Sequence, residues 1–352
     1  MLMVVKGKNH KTAFILGAGA TRGAIRHVLV NHKRIKPPLN ADFFKVAETY
    51  AKAKGARSVE MQRLTRLAKV FKDDIPLKKP EMETAFSLLY IAKDFPEIYK
   101  TGPGKKPAAG NRKEIEDFLR LTFDILRVLD SQACTKTKYD LLASKLGPDD
   151  TIISLNYDTL LDSALVRHGW EPRNGYGLPG GKKKIKWLPT TTDNQPDLRG
   201  VRLLKVHGSV NWFVRGSFGN LAKAFESKPV LVTGPRRNEK KGYIRQIVPP
   251  IVGKMFDHAH WRALWTQGFE ELCSADILVV VGCSLIDTDF HLRALLSRVV
   301  RHRKKTGKKF RLAIFVADTK TRRKWQRTLK GSCKATKGYP RFERFLEKEL
   351  KT

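Results

Sequence analysis

No stretch of this sequence approaches the roughly 20 consecutive apolar residues that a membrane-crossing helix requires. The most apolar run, Ala275 to Val281, is far shorter, so no transmembrane helix and no membrane partner are expected. The N-terminus lacks the order of charge, apolar core and small-residue cleavage site of a signal peptide, because Lys6, Lys8 and Lys11 follow Val4-Val5 directly. A cytoplasmic protein is therefore expected. Cysteine is scarce: Cys134, Cys273, Cys283 and Cys333 are the only 4 in 352 residues, and no two form Cys-x-x-Cys. That excludes a zinc ribbon and a disulfide framework and leaves four ordinary thiols. Acidic residues are also few, 34 Asp and Glu against 69 Lys and Arg, for a net charge of +35. Such an excess bears on partners and solubility, not on fold.

The apolar residues that are present, 41% of the chain, suffice for a folded core. Their pattern alternates between strand and helix. Thr12 to Leu16 is a short apolar run ending at glycine, which predicts a buried first strand. From Asn40 to Asp130 the apolar residues adopt helical spacing: Phe43, Val46, Ala47 and Tyr50; Met61, Leu64, Leu67, Ala68 and Phe71; Ala85, Leu88, Leu89 and Ala92. A fourth stripe runs from Ile115 to Leu129, with Thr122 its one polar member. Between the third and fourth helices, Thr101 to Pro107 reads as a loop. Strands are predicted again at Thr151 to Leu155 and Val201 to Val206, then at Ile277 to Val281 and Leu312 to Val316. Pro229 to Val232 is a further candidate, and a helix is predicted from His258 to Cys273. The fold class is therefore α/β: a Rossmann-like, doubly wound parallel sheet with a helical insertion after strand one. We assign 1–39 and 146–335 to the Rossmann-like domain, 40–145 to the insertion and 336–352 to a C-terminal helix.

Four of the predicted strands end in small or polar residues: Gly17-Ala18-Gly19, Asn156-Tyr157-Asp158, His207-Gly208-Ser209 and Gly282-Cys283-Ser284. Ligands of open α/β sheets bind beyond the carboxyl ends of the strands, so all four motifs are expected to line one pocket. The first turn continues through Ala20, Thr21 and Arg22 to Gly23, placing glycines where backbone approaches a pyrophosphate, with a hydroxyl and a cation nearby. Its spacing is G-x-G-x-x-x-G, and no acidic residue ends a second strand about twenty residues on, so a dinucleotide-dependent dehydrogenase is disfavoured. Asn156 offers an amide to orient a water or a ribose hydroxyl, or else caps the helix near Asp158. His207 suits a general base, or else is a satisfied core histidine. Trp212 is either a pocket wall or a core aromatic. His258, His260 and His291 lack metal-pair spacing.

These four motifs, in this order, resemble the sirtuin superfamily, which has a Gly-Ala-Gly-x-Ser turn, an Asn-x-Asp segment, a His-Gly pair and a late Gly-x-Ser. The resemblance spans about Thr12 to Asp318. Two departures accompany it: the paired Cys-x-x-Cys zinc module is missing, and Ala24-Ile25-Arg26-His27 stands where the deacylating members carry Ile-Pro-Asp-Phe-Arg. The chain thus looks like the divergent, zinc-free branch of prokaryotic anti-phage defence systems, whose members hydrolyse NAD. That resemblance implies NAD as substrate, no zinc, and cleavage of the nicotinamide–ribose bond, with Asn156 positioning ribose or water, His207 as base and Asp158 in support. It further implies that Gly17, Ala18, Gly19, Thr21 and Arg22 hold the phosphates while Gly282, Cys283, Ser284 and Asp318 flank the adenosine. Regulation by homo-oligomerisation or by a partner such as a hexameric translocase-type ATPase is implied in the same way.

Two other readings stay open. One is a nucleic-acid-associated, nucleotide-sensing protein that uses the basic runs at Lys182 to Lys186, Arg236 to Lys241, Arg301 to Lys305 and Thr321 to Lys324. Aromatic residues are sparse in these runs, which favours backbone electrostatics over base stacking. The other is a protein deacylase, weakened by the absence of the zinc module.

Overall fold

The computed structural model describes residues 10–73, 81–94, 112–178, 185–186, 200–216, 229, 231–233, 242–248 and 259–339. Its centre is a six-stranded sheet. In chain order the first elements are β1 (Thr12–Leu16), α1 (Ala18–Ala24) and a small hairpin of β2 (Val28–Val30) with β3 (Lys33–Ile35). Four helices follow: α2 (Phe43–Lys54), α3 (Val59–Asp73), α4 (Met82–Asp94) and α5 (Arg112–Leu129). The chain then runs through α6 (Lys138–Ala143), β4 (Thr151–Ser154), α7 (Leu160–Arg167) and the single turn α8 (Pro172–Gly175). Next come β5 (Ile185–Lys186), β6 (Arg202–Lys205), β7 (Gly208–Arg215), β8 (Leu231–Thr233) and β9 (Tyr243–Ile247). The last part comprises α9 (Ala259–Ser274), β10 (Ile277–Val281), α10 (Phe290–Thr306), β11 (Phe310–Phe315), α11 (Thr319–Thr328) and β12 (Cys333–Tyr339).

Every pairing in the central sheet is parallel. The chain winds outward from β1 to β4 and β6, then returns past β1 to build β10, β11 and β12 on the other side. The reversal sits between β1 and β10, where Leu16 pairs with Val281 and both strands end. β1, β4 and β10 are buried along their whole length. That explains their largely apolar sequences, since each face is covered by other elements.

Helices α2 to α5 occupy the predicted insertion and bury their apolar stripes against one another. Phe118 on α5 is the hub, stacked on Phe43 at 5.2 Å and set edge-on to Phe86 at 4.7 Å between ring centroids. Thr122, the polar member of its stripe, is buried and donates its hydroxyl to the Phe118 carbonyl at 2.9 Å, the usual way a helical threonine satisfies itself.

Several elements differ from the sequence reading. His207-Gly208-Ser209, read as the end of a strand, leads at once into another strand. The chain passes directly into β7, the longest strand of a second, four-stranded sheet ordered β5-β8-β7-β9. The predicted strand at Pro229 to Val232 is β8 of that sheet, displaced to Leu231–Thr233. Residues 336–339, read as the start of a C-terminal helix, belong to strand β12, and 340–352 lie outside the described residues. The predicted loop at Thr101 to Pro107, the basic run at Arg236 to Lys241 and all of the run at Lys182 to Lys186 except β5 also lie outside them. Among the described residues no helix is long and apolar enough to cross a membrane.

Candidate active site

A cavity of about 420 Å³ opens at the carboxyl ends of β1, β4, β6, β10 and β11, within the roughly 300–1,000 Å³ range of small-molecule sites. Gly17, Ala18, Gly19, Thr21, Asn156, Asp158, His207, Gly282, Cys283, Ser284 and Asp318 all line it. The topology therefore gathers every candidate site residue but one. The helical insertion and the segment leading to it roof the cavity with Pro37, Leu39, Met82 and Leu126.

The exception is Arg22. Its guanidinium forks onto Asp42, with Nη1 at 2.5 Å from Oδ2 and Nη2 at 2.9 Å from Oδ1, and its Nε donates to the Pro37 carbonyl at 2.7 Å. It faces the insertion and does not line the cavity, because a bidentate carboxylate and a carbonyl together take up the planar fork. Arg22, expected from the sequence to hold phosphates, thus has Asp42 and the Pro37 carbonyl as its partners.

The glycines of the first turn have a packing role. A Cβ at Gly17 would stand 2.7 Å from the Cys283 Cα, and one at Gly19 2.8 Å from the Gly282 Cα. Gly282 itself has φ 58° and leaves no room for a Cβ, which would fall 2.1 Å from the Ala20 nitrogen. The β1 and β10 turns are thus pressed backbone to backbone, with Gly19 N–H donating to the Gly282 carbonyl at 2.9 Å. The amides of Gly17, Gly19 and Ala20 are all spent within the protein. The Ala18 amide, first in α1, has no acceptor within its own helix.

Thr21 is the centre of a closed network. Its hydroxyl donates to Asp158 Oδ2 at 2.8 Å and lies 3.0 Å from both the Asn156 Nδ2 and the Tyr139 hydroxyl. One donor and two lone pairs are thereby filled. Asn156 Nδ2 also donates to the Gly17 carbonyl at 3.0 Å, tying the β4 end to the β1 turn. The alternative role for Asn156, capping the helix after β4, falls instead to Asp158, whose Oδ1 accepts from Leu160 N at 3.2 Å. Burial pushes the Asp158 carboxyl up from its ordinary value, with Lys205 opposing. Beneath it Asp130 is fully buried and rises to about 7, first through burial and then through the neighbouring Asp158 charge. Lys205, itself buried, anchors this layer by donating to the Asp158 carbonyl and standing 3.3 Å from both Asp162 oxygens.

His207 leaves β6 with its ring buried, Nε2 lying 3.5 Å from Asp289 Oδ2. Asp289 also caps α10, its Oδ1 accepting from Leu292 N at 3.3 Å. No sequence motif singles it out, yet it lines the cavity. The preceding Leu285 is buried with φ 50°, a left-handed conformation uncommon for a non-glycine residue. Thr288, beside Asp289, donates to Glu83 of α4, which couples this loop to the insertion. Trp212 is a core residue, packed edge-on to Tyr176 at 5.3 Å. Burial lifts the Cys283 thiol to about 12, so it is no nucleophile. Asp318 sits at the cavity rim, where the Thr321 backbone amide holds its carboxyl below the usual value.

Among the described residues the lining contains five carboxylates, those of Glu81, Glu83, Asp158, Asp289 and Asp318, and no lysine or arginine. In a chain of net charge +35 this local inversion of sign sets what the cavity receives: cations and hydroxyl donors on the carboxylates, anions only on backbone amides. Among the described residues no cluster of His, Cys, Asp and Glu is placed to hold a metal ion.

Comparisons with known proteins bear on this geometry. No curated protein matches the chain. A Sir2 enzyme bound to an acetylated peptide is 12% identical, with TM-score 0.38, the match covering 96% of this chain and 92% of that one. A Sir2 solved with a p53 peptide and NAD+ is 13% identical, with TM-score 0.32 and coverages of 96% and 92%. Values this low say nothing of substrate. A family model described as a SIR2-like domain matches residues 150–332, from the start of β4 to the edge of β12. With that match covering just over half of its length, the chain belongs to the SIR2-like domain family.

Proposed function

We propose that this protein is an NAD hydrolase that cleaves the bond between nicotinamide and ribose. The observation that carries the reading is the lining of the cavity. Asn156, Asp158, His207 and Asp289 converge beyond the strand ends in a site that, among the described residues, is lined by carboxylates and by no lysine or arginine. A positively charged nicotinamide and two ribose diols suit such a lining, as does the cationic character that develops at the anomeric carbon when nicotinamide departs. Fixed carboxylates there stabilise charge in the transition state more than in the ground state, which is what accelerates a reaction. The pyrophosphate is left to backbone amides at the Gly17-Ala18-Gly19 turn, of which the Ala18 N–H is available.

The reaction balances simply. Water adds to the anomeric carbon, the glycosidic C–N bond breaks, nicotinamide leaves with the bonding pair, and one proton is released. His207 accepts that proton, a role worth roughly 10²–10⁴ in rate. Asp289, 3.5 Å from Nε2, faces the ring and limits its orientation. Asn156 and Thr21 hold the two turns at fixed separation, so their contribution is geometric. Unchecked turnover would deplete the cell that makes the protein. The reading therefore includes a resting state released by self-assembly or by a second protein, such as a translocase-type ATPase, in a cytoplasmic anti-phage setting.

One observation favours a second reading, a nucleotide sensor without turnover: the Asn156 amide and the Thr21 hydroxyl are both engaged within the protein. Incubating the purified full chain with NAD and quantifying nicotinamide and ADP-ribose by mass spectrometry separates the two. Hydrolysis lost by at least about 100-fold in His207→Ala supports the enzyme. NAD binding by calorimetry with no turnover, at any protein concentration and with any effector tried, supports the sensor. Faster turnover of an acetyl-lysine peptide than of NAD alone would make it a deacylase.

A further inference from the structure

The positive charge is not spread evenly. Residues 290–334 carry 16 lysines and arginines and one acidic residue, Asp318, and that one caps α11. The segment builds α10, β11, α11 and the start of β12. Both helices make crossovers between parallel neighbours advancing in the same direction across the sheet. Right-handed connections therefore place them side by side on one face. The structure pins them at both ends. Asp287 receives Arg293 of α10 and Lys324 of α11, each at 2.8 Å, and the Lys304 side chain lies against Gly331 just beyond α11.

Within this pair the cations are sorted. Arg303 is buried, stacked 3.6 Å over the Phe310 ring and donating to the carbonyls that end α9, so it is structural. On the solvent side, Arg298, Arg301 and Lys305 stand at i, i+3 and i+7 along α10, and Lys320, Arg323 and Arg327 repeat that spacing along α11. All six are exposed, and none forms a salt bridge among the described residues. Such spacing puts three charges in a row on a helix surface. Two adjacent helices therefore present two rows about 10 Å apart, close to the ~12 Å width of a duplex major groove.

We propose that this face binds the phosphate backbone of double-stranded nucleic acid. Single strands are disfavoured because base stacking needs exposed aromatic rings. Phe310, Phe315 and Trp325 are buried, and the exposed Phe290 lies at the far end of α10 from its cationic row. An acidic protein surface is disfavoured by the regularity of the rows, which matches a polymer of evenly spaced charges. At 17 residues, α10 is about 25 Å long, so a 20-base-pair duplex exceeds the footprint. None of the six cations lines the cavity, and the inference holds whether or not the chain hydrolyses NAD.

The test is fluorescence anisotropy of a labelled 20-base-pair duplex with the full chain, across salt concentrations. Six phosphate contacts predict a slope of log K against log salt of about −5. Charge reversal of Arg298, Arg301, Arg323 and Arg327 to Glu is expected to weaken binding at least about 100-fold and to bring the slope to about −2. A control with the same net charge, reversing the exposed Lys45, Lys54, Arg57 and Lys69 of the insertion, is expected to lose less than about 3-fold. Replacing the four arginines by Gln, with melting temperature measured alongside, guards against misfolding. Equal losses in the two reversal variants would overturn the proposal by showing a diffuse charge effect. Tighter binding of a single strand, or equal competition by polyglutamate, would overturn it in favour of another partner.

Discussion

Asp289 Oδ2 lies 3.5 Å from His207 Nε2, with both side chains no more than 6% exposed. The carboxylate is held on its other oxygen by the Leu292 amide, so it cannot swing away without losing the cap of α10. A buried carboxylate facing an imidazole nitrogen fixes ring orientation and stabilises the imidazolium. Asp289→Asn keeps the shape and the cap but removes the charge. Under the hydrolase reading we expect kcat to fall roughly 10- to 100-fold with KM for NAD little changed. Unchanged activity in Asp289→Asn would mean that Asp289 serves the fold alone.

Thr21 supports two strand ends and a helix with one hydroxyl. Thr21→Val preserves the volume but strips a partner at once from the buried Asn156, Asp158 and Tyr139. Each unsatisfied buried group costs about 1–3 kcal/mol, less than additively within one network. A loss of about 2–4 kcal/mol in denaturant midpoint analysis is expected, together, under the hydrolase reading, with loss of NAD turnover. Thr21→Ser should be close to neutral in both. A Val variant as stable as the parent would show that the network adds nothing to stability.

Asp130 gives the protein a pH dependence of defined sign. Its folded pKa is about 7, against about 4 for an unfolded aspartate. Between those values the folded chain holds a proton that the unfolded chain has released, so stability falls as pH rises from about 4 to 7 and levels off above. The slope is on the order of 1 kcal/mol per pH unit within that window. Asp130→Asn keeps an acceptor for the Thr159 amide, which now donates to Asp130 Oδ1 at 2.9 Å, and stays neutral throughout. Its stability relative to the parent should grow from near zero at pH 4 to a plateau above pH 7. A difference that does not change with pH would assign the shift elsewhere.

What the sequence disclosed, and what it hid, follows from local pattern. Ile277 to Val281 and Thr12 to Leu16 were legible because strands covered on both faces are continuously apolar, and they form the middle of the sheet. The convergence of Gly17, Asn156, His207 and Gly282 followed from the topology those strands imply. β12 was missed because it is an edge strand, where Lys334, Lys337 and Gly338 are tolerated and no apolar run is needed. β7 was missed because its Gly-Ser-Val-Asn start reads as turn, although the φ of 82° at Gly208 merely redirects the chain from one sheet to the next. Asp289 was hidden behind its helix cap. The pairing with His207 joins residues far apart in sequence, and only the return of the chain to β10 brings them together.

Arg22 separates the chemistry of the motif from the chemistry of the fold. A cation beside a glycine turn suggests a phosphate ligand, whereas the structure commits it to Asp42 and the Pro37 carbonyl, where it clamps the base of the insertion to α1. Arg22→Met retains the aliphatic stem but leaves the half-buried Asp42 without its bidentate partner. The expected cost is about 1–2 kcal/mol in unfolding free energy, with greater protease sensitivity of the insertion. KM for NAD should change less than about 3-fold, since the phosphate-facing group is then the Ala18 amide and not the guanidinium. A KM raised 10-fold or more at unchanged stability would return Arg22 to the phosphates and require the insertion to move when substrate enters.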